Sequence, residues 1–329
     1  MTTRALHIAL LGPLFFTYAF SQTPAQLNAS GSRALASGDY KTALTKFEQA
    51  ARLDPNNLDI QFNIGLTFDR LGRPEQAISP LEKASADPNV AANAHYLLGS
   101  SYFQLGEYAQ AIKAIESQSN GPQAEHALYI IEESHRLLGH NAEARDAFRQ
   151  LNRRYPDSAW THYLLGAAYE NQAELDKAID EYKTSLIRDP NLPNAAFAIG
   201  YLYLRRNESD TAKTWFEKQL STRSCHALAI FYLGQIARSE QDSVNAAKHY
   251  ARAISCDGDS LEAHLRLGIT LAEMNQNPEA LRELNRAVQL APENTTAHYR
   301  LALLYKKLKR TDESKAEYDI VRRLQASKP

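Results

Sequence analysis

Residues 93–118 read NAHYLLGSSYFQLGEYAQAIKAIESQ, and this stretch decides the fold. Apolar and small residues recur in it at helical spacing, before and after Gly106. Ala111 and Ile115 are four residues apart and therefore share one face of a helix, while Gly99 marks the packing face of the helix before it. Gly106 predicts a tight turn between the two helices. Because the turn is short, the unit is predicted to be an antiparallel helix pair.

The same pattern recurs along the chain at a constant interval in sequence, equal to that between Ala43 and Ala77. One interval is a residue shorter than the others. Seven of the fourteen glycines stand twelve residues before a register alanine, and a bulky apolar residue follows each alanine by four. Glu132 and Ala302 replace glycine in two units, and Ser314 replaces alanine in the last. Such periodicity indicates an array of one repeated structural unit. The register alanines are Ala43, Ala77, Ala111, Ala144, Ala178, Ala212, Ala246 and Ala280, and the glycines are Gly31, Gly65, Gly99, Gly166, Gly200, Gly234 and Gly268.

The order of Leu-Gly, Tyr, Gly, Ala, aromatic and a closing Asp-Pro, as in Asp54-Pro55, closely resembles the tetratricopeptide repeat. The resemblance implies an all-α fold, a right-handed α-solenoid superhelix of about nine helix-turn-helix repeats. It also implies that the first helices of the units line a concave groove that binds peptides or partner proteins. The solenoid is predicted to cover residues 22–329, with units at 24–57, 58–91, 92–124, 125–158, 159–192, 193–226, 227–260, 261–294 and 295–327.

Residues 1–21 fall outside the repeat and predict a secretory signal peptide cut after Ser21. Arg4 precedes an apolar run that ends near Phe20, and Gly12-Pro13 interrupts it. The run is short for a membrane span, and the alternative is an uncleaved anchor. The prediction is an exported protein, periplasmic or secreted, and a bacterial source is favoured because Asn-x-Ser/Thr triplets fall where the repeats need packing or a boundary.

Two cysteines, Cys225 and Cys256, are the only ones in the chain. An even number in an exported protein favours a disulfide. Cys225 precedes the first helix of the seventh unit and Cys256 ends its second helix, so antiparallel packing brings them together. The alternative is two free buried thiols.

No catalytic residues, cofactor or metal site are predicted. Nine repeats take up nearly all of the sequence after Ser21, which leaves no stretch for a catalytic domain. Zinc-protease, nucleophile-elbow and phosphate-loop motifs are missing from the sequence. Histidines recur at the fourth place of several units, but equivalent places in neighbouring units should lie about 8–10 Å apart, too far to share one ion.

The fifth residue of each first helix is predicted to face the groove, and it is aromatic in most units. Aromatic side chains offer large contact area with little rotamer entropy to lose. The alternative is that these rings serve packing between units. The predicted groove aromatics are Phe62, Tyr96, Tyr129, Tyr163, Phe197, Phe231 and Tyr299.

Charged residues predicted to face the groove differ in sign along the chain. Acidic residues such as Asp59 and Glu170 predominate in the first five units, and basic residues predominate in the last four. An acidic segment would then bind in one preferred direction, whereas the alternative is ordinary solvated charge. The near balance of 37 basic and 38 acidic residues gives no case for nucleic acid. The predicted basic groove residues are Arg205, Arg238, Arg266, Arg300 and Lys306, with Lys307 beside them.

These observations predict a non-enzymatic scaffold that binds a peptide segment or a partner protein in its groove, as part of a bacterial cell-envelope assembly. Two alternatives stay open. The chain could self-associate through its end helices, since a solenoid needs polar caps. It could also bind a glycan or small molecule, or act as the noncatalytic subunit of a separate enzyme, because aromatic residues suit sugar faces.

Overall fold

The computed structural model describes residues 22–326; the predicted signal segment, residues 1–21, and residues 327–329 lie outside the described residues. Within the described range the chain forms eighteen α-helices and one short 3-10 helix at Glu116–Gln118, and no strand. Along most of this range, consecutive helices pack on one another. The predicted all-α solenoid class is confirmed. The described residues divide into two compact units, the first ending at Leu151 and the second beginning at Asn152.

The first unit is built from antiparallel helix pairs, in which an odd-numbered first helix is followed by an even-numbered second helix. Its last helix ends just beyond the boundary between the units. The helices are α1 (Pro24–Ala36), α2 (Tyr40–Leu53), α3 (Leu58–Arg70), α4 (Pro74–Ala84), α5 (Ala91–Gln104), α6 (Tyr108–Ile115), α7 (Ala124–Leu137) and α8 (Asn141–Arg154).

The second unit continues the same alternation. From α10 to α16, each second helix packs against the first helix before it and against the first helix after it. The helices are α9 (Ala159–Asn171), α10 (Leu175–Arg188), α11 (Ala195–Arg205), α12 (Ser209–Thr222), α13 (Ala227–Ser239), α14 (Ser243–Cys256), α15 (Leu261–Glu273), α16 (Asn277–Leu290), α17 (Thr295–Lys307) and α18 (Thr311–Ala326).

The register glycines bring the two helices of a pair into close contact. A Cβ placed on Gly234 in α13 would lie 2.8 Å from the ring of Tyr250 in α14, closer than carbon atoms can approach. Tyr250 and the register alanine Ala246 are both fully buried. The sequence therefore repeats glycine because the bulky residue opposite it fills the space that a side chain would need.

The turns inside the pairs differ between the two units. Gly38, Gly72, Gly106 and Gly139 take positive φ angles of 66–80° in the first unit, and Gly106 is the residue at which a tight turn was predicted. In the second unit the same left-handed place holds other residue types, with φ of 60–66°. Asparagine tolerates this conformation better than residues with larger or branched side chains. The residues are Ala173, Asn207, Gln241, Asn275 and Lys309.

The structure contains a disulfide between Cys225 and Cys256, with the Sγ atoms 1.99 Å apart and the Cα atoms 5.5 Å apart. The bond joins the segment before α13 to the C-terminus of α14, so it closes the ends of one antiparallel pair. Of the helices in residues 22–326, none is both long enough and apolar enough to cross a membrane.

Candidate binding surface on the first helices

The first helices of the second unit lie side by side, and polar contacts join equivalent places on neighbouring ones. Arg238 on α13 donates to Glu273 on α15 at 2.8 Å. Nζ of Lys307 on α17 donates to the carbonyl oxygen of Ala272 on α15 at 2.6 Å. In both contacts the two residues are separated by one repeat plus one residue. The twelfth residue of one first helix therefore contacts the thirteenth residue of the next first helix. We call the exposed side of α13, α15 and α17 the first-helix surface.

A pocket of about 250 Å³ opens on this surface between α15 and α17. Ile269, Leu284 and Leu304 are nearly buried and form its apolar floor. Arg300 and Glu273 lie at its exposed edge. We call it the first-helix pocket, and its lining residues are Ile269, Ala272, Glu273, Leu284, Arg300, Leu303, Leu304 and Lys307.

Carboxylates in the structure neutralise three of the five predicted basic groove residues. A guanidinium nitrogen of Arg205 lies 3.5 Å from Oε1 of Glu170, and Nε of Arg266 lies 2.8 Å from Oε1 of Glu262. Arg238 is held by Glu273, as described above. These pairs are solvent-exposed and contribute little to stability, but they reduce the charge available to a ligand.

The two remaining basic groove residues both lie on α17. Neither Arg300 nor Lys306 has a side-chain hydrogen bond or ion pair to another residue within 22–326, and both side chains are exposed. Arg300 lies at the first-helix pocket, whereas Lys306 lines a separate pocket formed by α17 and α18.

The predicted groove aromatics of the second unit pack mostly against other rings. Phe231 is 7% exposed, and its ring centroid lies 5.6 Å from that of Tyr250. Phe197 is half-buried, 4.9 Å from the ring of His226. Tyr163 is half-buried with its ring 5.3 Å from that of Tyr182, whereas Tyr299 is 43% exposed. Much of this ring surface packs against rings of the same predicted repeat, and a role in binding stays a prediction.

In the first unit the predicted aromatics are similarly engaged. Phe62 is half-buried, and Tyr129 is 7% exposed with its ring stacked on that of His126. The hydroxyl of Tyr96 lies 2.6 Å from Nδ1 of His126. Burial lowers the pKa of His126 to about 4, so its ring is neutral near pH 7 and can accept this hydrogen bond. Whether these residues belong to a binding surface stays a prediction.

Histidines at the fourth place of a first helix form a contact that sequence reasoning missed. Nδ1 of His264 lies 2.7 Å from a carboxylate oxygen of Glu283, and its Nε2 lies 3.1 Å from the carbonyl oxygen of Gly258. His298 makes the same contacts with Glu317 and the carbonyl of Pro292. The signal was present in the sequence, because a glutamate follows each of these histidines at the same spacing. These histidines act in the core, and within residues 22–326 no group of three or more His, Cys, Asp or Glu residues could hold a metal ion.

Comparison with known proteins finds repeat families along most of the chain. The family model described as "Anaphase-promoting complex, cyclosome, subunit 3" matches residues 36–118. Models described as "Tetratricopeptide repeat" match residues 134–193 and 296–324, and one described as "TPR repeat" matches residues 270–309. The matches begin and end within the periodic part of the sequence.

Two curated proteins are similar to parts of the chain. The small glutamine-rich tetratricopeptide repeat-containing protein 2 of Mycosarcoma maydis is 30% identical over 91 residues, 28% of this chain and 26% of that protein. The CTR9 homolog of Arabidopsis thaliana is 21% identical over 213 residues, 60% of this chain and 19% of that protein. The chain thus spans about a quarter or less of the length of the curated relatives it matches.

Among solved structures, the human IFIT1 dimer with PPP-AAAA superposes with a TM-score of 0.55. The match covers 93% of this chain and 74% of that one at 18% identity. A likeness at this identity shows a shared fold alone.

Proposed function

The chain is a tetratricopeptide-repeat protein, and on that premise we propose that it is a non-enzymatic scaffold that binds an extended acidic segment of a partner protein on the first-helix surface. The first-helix pocket receives one apolar side chain of the segment. A carboxylate next to that side chain pairs with Arg300.

The observation that carries this proposal is the first-helix pocket together with Arg300, which forms no ion pair within residues 22–326. A cavity of about 250 Å³ with a floor of Ile269, Leu284 and Leu304 fits an aliphatic side chain of the size of leucine. Full burial of such a side chain contributes about 1.5–3 kcal/mol. Glu273, the carboxylate at the same edge of the pocket, pairs with Arg238, and the guanidinium of Arg300 can bind a carboxylate of the segment through two parallel hydrogen bonds.

Charge on the first-helix surface gives the bound segment a direction. Arg238 and Arg266 already pair with glutamates, so an acidic segment gains most at α17 and less at α13. Opposite charge also speeds encounter and disfavours the reversed orientation.

We extend the proposal to compartment and assembly. An exported location, periplasmic or secreted, is supported by the apolar run before Ser21 and by the Cys225–Cys256 disulfide, which persists in oxidising compartments. A role in a bacterial cell-envelope assembly is part of the same proposal. Its non-enzymatic character is supported by the tetratricopeptide-repeat families that match the chain, which generally act as scaffolds.

The test uses two labelled dodecapeptides with a central leucine, one flanked by glutamates and one by lysines, and the purified chain. We expect the glutamate peptide to bind at least ten-fold more tightly than the lysine peptide by fluorescence anisotropy. Ala272→Phe fills the pocket and Arg300→Glu reverses its charge, so each should weaken binding at least ten-fold. Arg282→Glu, an exposed change on α16 with the same charge effect, serves as the control.

Three results would overturn the proposal. The glutamate peptide could fail to bind, could bind Ala272→Phe as tightly as the parent chain, or could be displaced by a free oligosaccharide on the parent chain. The last result would instead favour a glycan site. Circular dichroism of each variant establishes that a loss of binding is not a loss of fold.

A further inference from the structure

The last helix pair, α17 and α18, carries an open pocket of about 690 Å³ on its outer face. Val321 is 7% exposed, Tyr318 is half-buried, and Tyr299 is 43% exposed, so the floor is apolar and partly open to solvent. We call this depression the end pocket, and its lining residues are Tyr299, Lys306, Thr311, Ser314, Lys315, Tyr318, Val321, Arg322 and Gln325.

The equivalent surface of the preceding helix pair, α15 and α16, packs against a helix. In that pair, α15 and α16 are both packed against α17. The α17 residues Ala297, Leu301 and Leu304 are 0–3% exposed and join Leu284 and Ala287 in one apolar cluster. A shift of one repeat places Tyr318 and Val321 where Leu284 and Ala287 lie. The end pocket therefore has the layout of a surface that receives a helix.

The residues around the end pocket are more basic than the equivalent residues of the preceding pair. Lys306, Lys315 and Arg322 stand where the preceding pair has Ala272, Leu281 and Val288. Among the described residues that line the end pocket, none is acidic. Arg322 forms an ion pair with Asp319, while neither Lys306 nor Lys315 has an ion pair to any residue within 22–326. The pocket thus combines an apolar floor with a basic edge.

We infer that the end pocket binds an amphipathic helix of an acidic partner protein. The helix presents small and aliphatic residues with the spacing of Ala297, Leu301 and Leu304, and carries glutamate or aspartate on both sides of that strip. Its apolar strip covers Tyr318 and Val321, and its carboxylates pair with Lys306 and Lys315. A helix of 13 residues, the length of α17, is about 20 Å long.

A second copy of this chain fits the end pocket poorly. In the register of Ala297, Leu301 and Leu304, the first helix α1 carries Gln26, Ser30 and Arg33. This face offers no apolar strip, and Arg33 would meet the basic edge of the pocket. Head-to-tail stacking through α1 would therefore bury polar groups and bring like charges together.

The inference is independent of the proposed function and is tested with designed helices. One labelled helical peptide has the length of α17 and carries alanine, leucine and leucine at spacings of four and three, with glutamates on both sides of this strip. A second peptide has the same apolar residues and carries lysines in place of the glutamates. We expect the glutamate helix to bind the parent chain at least ten-fold more tightly than the lysine helix. The double variant Lys315→Glu/Arg322→Glu should lose at least ten-fold for the glutamate helix and gain affinity for the lysine helix.

Two controls make the result specific. The exposed double variant Lys248→Glu/Arg282→Glu has the same net charge change outside the end pocket and should bind as the parent does. Ala272→Phe fills the first-helix pocket and should also leave helix binding unchanged, so the two sites can fail separately. Equal affinity for both helices, no binding, or equal loss in the control double variant would overturn the inference. So would concentration-dependent self-association in sedimentation velocity that Lys315→Glu/Arg322→Glu abolishes.

Discussion

Nδ1 of His264 lies 2.7 Å from Oε2 of Glu283, and the same contact recurs one repeat later between His298 and Glu317. Each pair joins the first helix to the second helix of one repeat. Because the second ring nitrogen of His264 faces a backbone carbonyl, both nitrogens meet acceptors. The arrangement is therefore a buried hydrogen-bonded pair that fixes how the two helices pack.

Loss of this pair should destabilise the fold. We expect His264→Leu to lower the free energy of unfolding by about 1–3 kcal/mol, because Glu283 would keep a half-buried carboxylate without its partner. A double-mutant cycle with Glu283→Leu, followed by urea denaturation, should give a coupling energy of about 1 kcal/mol. His95 provides the matched control, since Ala114 stands where glutamate would pair with it, and His95→Leu should change stability by less than about 0.5 kcal/mol. A coupling energy near zero would mean that the contact only fills space.

Close packing at the register glycines predicts a second large effect. Gly234→Ala would place a methyl group 2.8 Å from the ring of Tyr250, and the two helices must separate to admit it. We expect a loss of about 1–3 kcal/mol in unfolding free energy. Gly258→Ala is the control, because the nearest atom to its added Cβ is 3.9 Å away. Thermal denaturation that ranks the control as the more destabilised variant would contradict the packing account.

The Cys225–Cys256 disulfide should stabilise the second unit. The bond spans 31 residues of sequence and restricts the unfolded chain, which is worth about 3–4 kcal/mol on the loop-entropy account. Cys225 is exposed, so a reductant can reach the bond. We expect the melting temperature to fall on adding dithiothreitol and to match that of Cys225→Ser/Cys256→Ser, which should not respond to the reductant. An equal response of parent and double variant would show that the reductant acts elsewhere.

The periodic residues carried most of what could be predicted. The glycine of a first helix packs against the bulky residue of the second helix, and this contact fixes the spacing of both residues in the sequence. Helix pairing could therefore be predicted from Gly234, Ala246 and Tyr250. The binding surface followed less well, because position five of a first helix does not distinguish a ring that faces solvent from one that packs against a second helix. Tyr299 and Phe231 share that position, yet they are 43% and 7% exposed.

Pairing between repeats was equally hard to foresee. Arg238 and Glu273 form an ion pair between neighbouring repeats, and a count of charges along the chain cannot predict this pairing. Ile269 and Arg300 line the first-helix pocket from two different helices, so the pocket depends on the spacing between α15 and α17. Signals of this kind lie in relations between repeats and not in the consensus of one repeat.

Glu132 gives a pH-dependent prediction, because it is a buried carboxyl at a place where most repeats have glycine. It is 9% exposed, and its Oε2 has no hydrogen-bond partner among the described residues. Burial, with a smaller contribution from nearby Glu133, raises the pKa of Glu132 from 4.5 to about 7. The folded state thus retains a proton that the unfolded state loses between these two values. Stability should fall as pH rises from about 4.5 to 7 and change little from this group above or below that window.

The variant Glu132→Gln removes this titration and keeps a side chain of the same size. We expect it to exceed the parent chain in unfolding free energy by about 3 kcal/mol at pH 8, and to match it near pH 4.5. Glu143→Gln, an exposed change on α8, should follow the parent at both values. Urea denaturation of the three proteins at pH 4.5, 6 and 8 measures the difference. If Glu132→Gln gained nothing at pH 8, the carboxylate would have to be accommodated in the fold without cost, for instance by an ion pair with Arg136, whose charge opposes the raised pKa.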